Sequence, residues 1–130
     1  SVSWSYENRS TGIRAVAERA DESRLEHRLP GADTNPYIVI AACLAGGLRG
    51  IEQKIEPPEA YEGDAYATDR FELAPRSLEE ALDLLERSQV ARQMLGDDFV
   101  QHYVLMKRFE VEKYRRQVSE WEVRRYIEMA

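Results

Sequence analysis

The stretch "SRLEHRLPGADTNPY", from Ser23 to Tyr37, contains the change from strand to helix that organises this chain. In its first half, Arg24, Glu26 and Arg28 occupy every second position. Because alternate side chains of a strand share one face of a sheet, these three are predicted to point the same way. The second half, from Leu29 onward, has the composition of a loop that runs into a helix.

Two strands are predicted in this region, over residues 12–17 and 23–28, and they form a β-hairpin over residues 12–28. The five polar residues "ERADE" between them suit a loose loop better than a tight two-residue turn.

Several arginines surround Glu26, because Arg24 and Arg28 share its strand, Arg14 lies on the neighbouring strand and Arg9 comes just before that strand. Guanidinium groups bind phosphate or carboxylate through paired hydrogen bonds, and a carboxylate suits a divalent cation. The cluster therefore fits either phosphoryl transfer with Mg²⁺ or a strand pair whose charges neutralise one another in solvent. A single glutamate is too few ligands for a metal site on its own.

A helix is predicted to follow, over "PYIVIAACLAGGLRGIEQK", with Thr34 or Asn35 as its N-cap and Pro36 in its first turn. It is apolar on nearly every face as far as Leu48, which is typical of a buried helix. Cys43 lies within it and is the one cysteine of the chain, so we expect a buried, unreactive thiol without an internal disulfide.

The rest of the chain, within a helical part over residues 35–130, is predicted to contain a long loop and then amphipathic helices. The loop, residues 56–76, has no clear period, and it fits a functional flap, a region packed on structure outside this chain, a partly disordered segment or a surface connection. Polar residues mark the helix starts: capping boxes at Ser77 with Glu80 and at Ser119 with Glu122, Ser88 before a short helix, and Asp97 or Asp98 before a long one. In that long helix, the helical spacing of Phe99, Tyr103, Met106 and Phe109 predicts core positions.

The predicted hairpin, apolar helix and amphipathic helices together indicate a mainly helical α+β unit, and the composition fits one globular domain. The chain has 130 residues, of which 43% are hydrophobic and 32% charged. Its net charge of -6 argues against binding of nucleic acid, which needs clustered Lys and Arg. It has no apolar run of the ~18 residues that suggest a membrane span and no signal core, so a reducing, cytoplasmic setting is expected. His27 is interpreted as structural and His102 as an unlikely metal ligand.

Four segments resemble the C-terminal part of the glutamine synthetase family: "YENRSTGIR", "SRLEHRLPGADTNPYIVIAACLAGGLRGIEQK", "APRSLEEAL" and "LGDDFVQHYVLMKRFEVEKYRRQVSEWEVRRYIEMA". The resemblance covers essentially the whole chain. Its spelling is most similar to the branch that includes γ-glutamylpolyamine synthetases and other glutamine-synthetase-like ligases. It implies that residues 1–130 are a C-terminal piece of the catalytic domain of such a ligase.

The family joins ammonia or an amine to the γ-carboxylate of glutamate, with ATP, through γ-glutamyl phosphate. By resemblance, Arg9 and Arg14 would contact the ATP phosphates and the transferring phosphoryl group, with Arg9 as a catalytic residue. Arg24 would contact a nucleotide phosphate, and Glu26 would bind one divalent metal ion, Mg²⁺ or Mn²⁺. Arg28 would hold the glutamate substrate.

The resemblance also implies that this chain is roughly the last third of an enzyme whose other metal ligands, glutamates and a histidine, lie upstream. The expected partners are small molecules and further copies of the full-length protein in stacked rings, with no nucleic acid and no membrane. The chain alone is expected to be inactive. Ammonia and a polyamine stay open as acceptors, and adenylylation of Tyr66 is doubtful because its flanking residues differ from the family's. A second hypothesis is a helical interaction module that kept the fold and lost the chemistry.

Overall fold

Three short strands form one sheet, in the order β1 (Trp4–Tyr6), β2 (Ile13–Val16) and β3 (Arg24–His27). The computed structural model describes residues 1–129. Strand β2 pairs with β3 in antiparallel register, and this pairing confirms the predicted hairpin. Strand β1 is an addition to the prediction and runs parallel to β2, with Trp4 opposite Ile13. Three residues are too few to show a period of two, so the sequence pattern alone does not reveal this strand.

Helix α1, which spans Pro36–Glu52, begins as the sequence predicts. Asn35 is its N-cap, and the side-chain oxygen of Asn35 accepts hydrogen bonds from the backbone N–H groups of Tyr37, at 3.0 Å, and Ile38, at 3.4 Å. These bonds satisfy two donors that a helix leaves free at its start, and Pro36 has no N–H to satisfy.

Helix α1 contains no buried residue within residues 1–129, so the burial that its apolar pattern predicts in a larger body is not seen in this chain. Tyr37 is 83% exposed and Leu44 is 63% exposed. The physical reason is that no strand within Ser1–Ala74 packs extensively against the apolar faces of α1. The prediction of a buried thiol is wrong for the same reason, since Cys43 is exposed.

The long segment that follows α1 runs along the outer edge of β1. The N–H of Tyr61 donates to the carbonyl of Trp4 at 3.0 Å, and the N–H of Val2 donates to the carbonyl of Glu72 at 2.7 Å. The indole nitrogen of Trp4 donates to the carbonyl of Pro58 at 2.7 Å. Residues 58–72 of this segment are therefore fastened to the sheet by hydrogen bonds.

The chain divides into two compact units, Ser1–Ala74 with the sheet and α1, and a helical unit from Pro75 onward. The helical unit contains α2 (Leu78–Arg87), α3 (Gln89–Leu95), α4 (Asp97–Arg115) and α5 (Glu120–Tyr126). This confirms a mixed α+β chain that is mainly helical. None of the helices within residues 1–129 is long and apolar enough to cross a membrane.

The core of the helical unit is formed by Leu82 of α2 with Val100 and Val104 of α4. These three side chains are at most 3% exposed. Helix α4 does contribute to the core, but through other residues than the sequence predicts. Of the predicted core residues, Phe99 is 38%, Met106 42% and Phe109 67% exposed. The valines, which lie one position along the helix from the predicted stripe, face α2 instead.

The predicted helix starts of this unit are largely confirmed. The Ser119 hydroxyl accepts the N–H of Glu122, and the Glu122 carboxylate accepts the N–H of Ser119, which completes a capping box. The Ser88 hydroxyl caps α3. At α2, the Ser77 hydroxyl accepts the N–H of Glu80 at 3.1 Å, but the Glu80 carboxylate accepts the N–H of Arg76 at 2.9 Å, so the second bond of the predicted box is displaced by one residue.

Candidate functional site

One face of the sheet carries a cluster of charged side chains from β2 and β3. Arg14 lies directly opposite Glu26, and the Nη1 atom of Arg14 is 3.1 Å from Oε2 of Glu26. Arg24 contacts the other carboxylate oxygen, with its Nη2 atom 3.0 Å from Oε1 of Glu26. Each oxygen of the Glu26 carboxylate therefore accepts from a different guanidinium group, and the shared face predicted for Arg24 and Glu26 is observed.

A second carboxylate, that of Glu7, contacts the Nη2 atom of Arg14. Glu7 directly follows β1, its φ of 48° lies in the left-handed region, and its N–H donates to the carbonyl of Ala15 at 3.1 Å. Sequence reasoning missed Glu7, because it lies outside the strands that show alternation. The one available signal is its position immediately before the Asn8-Arg9 pair of the family motif.

The electrostatics of this cluster favour the ionised forms of Arg14 and Glu26. Hydrogen bonding to Glu7, opposed by desolvation and assisted by Glu26, raises the pKa of the Arg14 guanidinium above its ordinary value. Desolvation works against ionisation of Glu26, but hydrogen bonds from Arg24 and Arg14 outweigh it and lower the pKa of the Glu26 carboxyl. The Arg14 side chain is only 16% exposed, and its Nε atom is buried without a hydrogen-bond partner within residues 1–129.

Arg9 and Arg28 lie apart from these ion pairs. Both residues are exposed, and neither side chain forms an ion pair within the part of the chain that the structure describes. Arg28 directly follows β3, where its backbone N–H donates to the carbonyl of Gly12 at 2.9 Å. The structure therefore brings Arg14, Arg24 and Glu26 together, while the predicted site residues Arg9 and Arg28 have no carboxylate partner within residues 1–129.

The loop that carries Arg9 is held in place by its two neighbours. The side-chain oxygen of Asn8 accepts the N–H of Ser10 at 2.9 Å, while the side-chain nitrogen of Asn8 donates to the carbonyl of Gly63 at 2.8 Å. The Ser10 hydroxyl accepts the N–H of Ala65 at 2.9 Å, and Ala65 is buried. The Asn-Arg-Ser motif thus uses its first and third side chains to anchor the loop, which presents the middle one, Arg9, to solvent.

Glu7 and Glu26 are the two carboxylates of this cluster, and Glu26 is the metal ligand that the sequence predicts. Within residues 1–129, no group of three or more His, Cys, Asp or Glu side chains is arranged to hold a metal ion. The carboxylate of Glu26 is the kind of oxygen donor that Mg²⁺ and Mn²⁺ prefer, but its oxygens already accept from Arg14 and Arg24. These residues therefore supply part of the ligand set of a metal site and not a complete set.

The opposite face of β3 carries a separate pair. The Nδ1 atom of His27 lies 3.2 Å from the Sγ atom of Cys43 on α1, and both residues are exposed. Since His27 alternates with Glu26 along the strand, this contact lies away from the charged cluster.

Comparison with known proteins identifies the class to which this fold and charged sheet face belong. The family model described as glutamine synthetase, catalytic domain, matches residues 1–126. This chain therefore belongs to the glutamine synthetase catalytic-domain family, as the sequence motifs indicate.

Particular relatives narrow the similarity to ligases of glutamate. The chain is 41% identical over 129 residues to the glutamate–isopropylamine ligase of Pseudomonas sp, a match that covers 98% of this chain and 28% of the relative. It is 42% identical over 127 residues to the gamma-glutamylethanolamide synthetase of Streptomyces coelicolor, covering 98% of this chain and 27% of the relative.

A solved structure supports the same relationship. The ligand-free structure of apo GmaS superposes with a TM-score of 0.79 at 34% sequence identity, over 96% of this chain and 29% of that protein. The chain thus spans less than a third of the length of these relatives.

Proposed function

We propose that this chain forms one wall of the active site of an ATP-dependent ligase, which joins ammonia or an amine to the γ-carboxylate of glutamate. The observation that carries the proposal is the arrangement of Arg14, Glu26 and Arg24 on one sheet face of a chain from the glutamine synthetase family. In this reaction the glutamate carboxylate takes the γ-phosphoryl group of ATP and releases ADP. The amine then displaces phosphate from γ-glutamyl phosphate, and an amide forms.

The arginines are proposed to bind the anionic groups of this reaction. Phosphoryl transfer depends mainly on positioning and on neutralisation of charge, and guanidinium groups supply both. Arg14 and Arg24, held by Glu26 at 3.1 and 3.0 Å, are fixed in place for the ATP phosphates, and Arg14 is proposed to contact the transferring phosphoryl group as well. Arg9 has no counter-ion within residues 1–129, which suits a group that pairs with the transferring phosphoryl group. Arg28, equally exposed, is assigned to the glutamate substrate.

Glu26 is proposed to supply one carboxylate oxygen to a divalent metal ion, Mg²⁺ or Mn²⁺. When bound, such an ion would neutralise charge on the phosphate oxygens. The lowered pKa of Glu26 supports this role, since only the ionised carboxylate is a good ligand for a hard cation. The other ligands would have to come from outside residues 1–129.

The acceptor is proposed to be a small amine or ammonia. The name of one relative, at 41% identity, specifies isopropylamine, and that of another, at 42% identity, specifies a γ-glutamylethanolamide, whose amine component is ethanolamine. Relatives named glutamine synthetase have slightly lower sequence identity, for example 39% for that of Pyrococcus abyssi. Both acceptor types, and a polyamine, therefore belong in the test.

The test is an acceptor panel with the full-length enzyme that contains this segment. ADP release and amide formation, the latter measured by mass spectrometry, are followed with glutamate, ATP and Mg²⁺ in the presence of ammonia, isopropylamine, ethanolamine or putrescine. We expect amide formation that requires both ATP and glutamate. A non-catalytic interaction module derived from this fold would give no amide with any acceptor, and that outcome would refute the proposed function.

A further inference from the structure

We propose that Glu7 is a positioning residue, which holds the guanidinium group of Arg14 in the orientation needed for binding the transferred phosphoryl group. The inference rests on the proposed function, because it concerns the same site. It adds a residue to which the sequence motifs give no role.

The first observation is that Arg14 is held by two carboxylates from different parts of the chain. Glu7, at the end of β1, contacts Nη2, while Glu26, on β3, lies 3.1 Å from Nη1. A guanidinium group held at one terminal nitrogen can pivot about that hydrogen bond. A second contact at the other terminal nitrogen removes this freedom and fixes the plane of the group.

The second observation concerns charge. Glu26 divides its two oxygens between Arg14 and Arg24, so one carboxylate faces two guanidinium groups. Glu7 supplies the second negative charge and makes the four-residue cluster neutral. Arg14 needs this charge more than Arg24 does, because its side chain is 16% exposed, against 54% for Arg24.

The third observation is that the backbone of Glu7 is held in an unusual conformation beside β2. Its φ of 48° is a conformation that residues other than glycine seldom adopt, and its N–H donates to the carbonyl of Ala15 at 3.1 Å. This hydrogen bond fixes Glu7 beside β2, one residue away from Arg14 along the strand.

The arrangement leaves Arg14 able to bind a ligand. A guanidinium group has five N–H donors, of which one points to Glu7 and one to Glu26, while the Nε–H is buried. Two N–H groups, one on each terminal nitrogen, remain for an anion. Glu7 therefore holds the guanidinium group of Arg14 in place and leaves two of its N–H groups available to an anion.

The experiment compares variants of the full-length ligase at residue 7. Misplacing a binding group for the transition state lowers turnover, so we expect Glu7→Gln to lower kcat about 10-fold while KM for ATP changes less than about 3-fold. Glu7→Asp keeps the charge and should recover part of the loss. Glu18→Gln is the matched control: Glu18 is exposed in the link between β2 and β3, and this variant should match the wild type.

A double substitution shows whether Glu7 acts through Arg14. If it does, the enzyme with both Glu7→Gln and Arg14→Lys should be no slower than the enzyme with Arg14→Lys alone. Independent, multiplicative losses would overturn the inference, as would a Glu7→Gln enzyme with wild-type kcat or one whose loss merely follows its loss of folded protein. An inactive wild-type enzyme would instead overturn the proposed function, and this inference with it.

Discussion

Arg14 and Glu26 are directly opposed residues of two antiparallel strands, and their side chains meet at a distance of 3.1 Å. A shift of the hairpin register by one residue would turn Glu26 to the other face of the sheet and break this contact. The register of this short hairpin therefore determines which side chains form the candidate active site. Four predictions follow from the contacts described above.

Replacing Glu26 by alanine in the full-length enzyme should reduce turnover at least about 100-fold, because the proposed metal ligand and the shared anchor of two arginines are lost. The thermal midpoint should change little, since Glu26 is partly exposed and Glu7 still contacts Arg14. Steady-state kinetics and differential scanning fluorimetry measure the two effects. Near-normal turnover would remove Glu26 from the mechanism.

The stabilising effect of Glu26 should depend on pH. Its pKa in the folded chain is lowered from the ordinary 4.5, so the unfolded chain binds the proton more readily. The difference in free energy of unfolding between the wild type and Glu26→Gln should therefore be fully present above pH 4.5 and shrink as the pH falls through the lowered pKa. Urea titrations at several pH values measure this difference.

The control for that measurement is salt. Screening at about 1 M NaCl should reduce the difference between wild type and Glu26→Gln at neutral pH. A difference that stays constant from neutral pH to pH 3 would show that the ion pairs of Glu26 do not contribute to stability.

The helical unit should be sensitive to truncation of Leu82. Its side chain is 2% exposed and contacts the valines of α4, so Leu82→Ala should lower the free energy of unfolding by about 2–4 kcal/mol. Leu84→Ala removes the same atoms from the same helix at a position that is 53% exposed, and it should cost no more than about 0.5 kcal/mol. Urea unfolding followed by circular dichroism compares them, and equal effects would contradict the core described here.

The 130-residue chain on its own should not form amide from glutamate, ATP and an amine. Its described part contains no cluster of three or more metal-binding side chains, and it spans less than a third of its relatives. The acceptor panel used for the full-length enzyme also serves here, with the full-length enzyme as the positive control. Product formation above the no-enzyme background would show that the proposed need for further residues is mistaken.

The sequence was most informative where a local rule sufficed. Alternation placed Arg24 and Glu26 on one face, and the polar residue before Pro36 marked the start of α1, because both depend on neighbours within a few positions. The roles assigned to these and the other arginines come from the family motifs and stay predictions.

The sequence was least informative where the outcome depends on distant partners. Strand β1 exists because Trp4 and its neighbours pair with β2 on one side and with the loop after α1 on the other. Glu7 reaches Arg14 only because the backbone turns at a positive φ. Cys43 is exposed because its side of α1 is left uncovered within residues 1–129. The apolar pattern of a helix does not show which other elements pack against that helix.

The loop along β1 has a consequence for how this sheet could grow. The carbonyl of Trp4 already accepts the N–H of Tyr61, and the N–H of Val2 already donates to the carbonyl of Glu72, so a strand added beside β1 would have to displace these bonds. Within residues 1–129, no strand pairs with the outer side of β3. A further strand can therefore add to the sheet at the edge of β3 more easily than at the edge of β1. There its side chains would lie next to Glu26 and the arginines of the charged cluster.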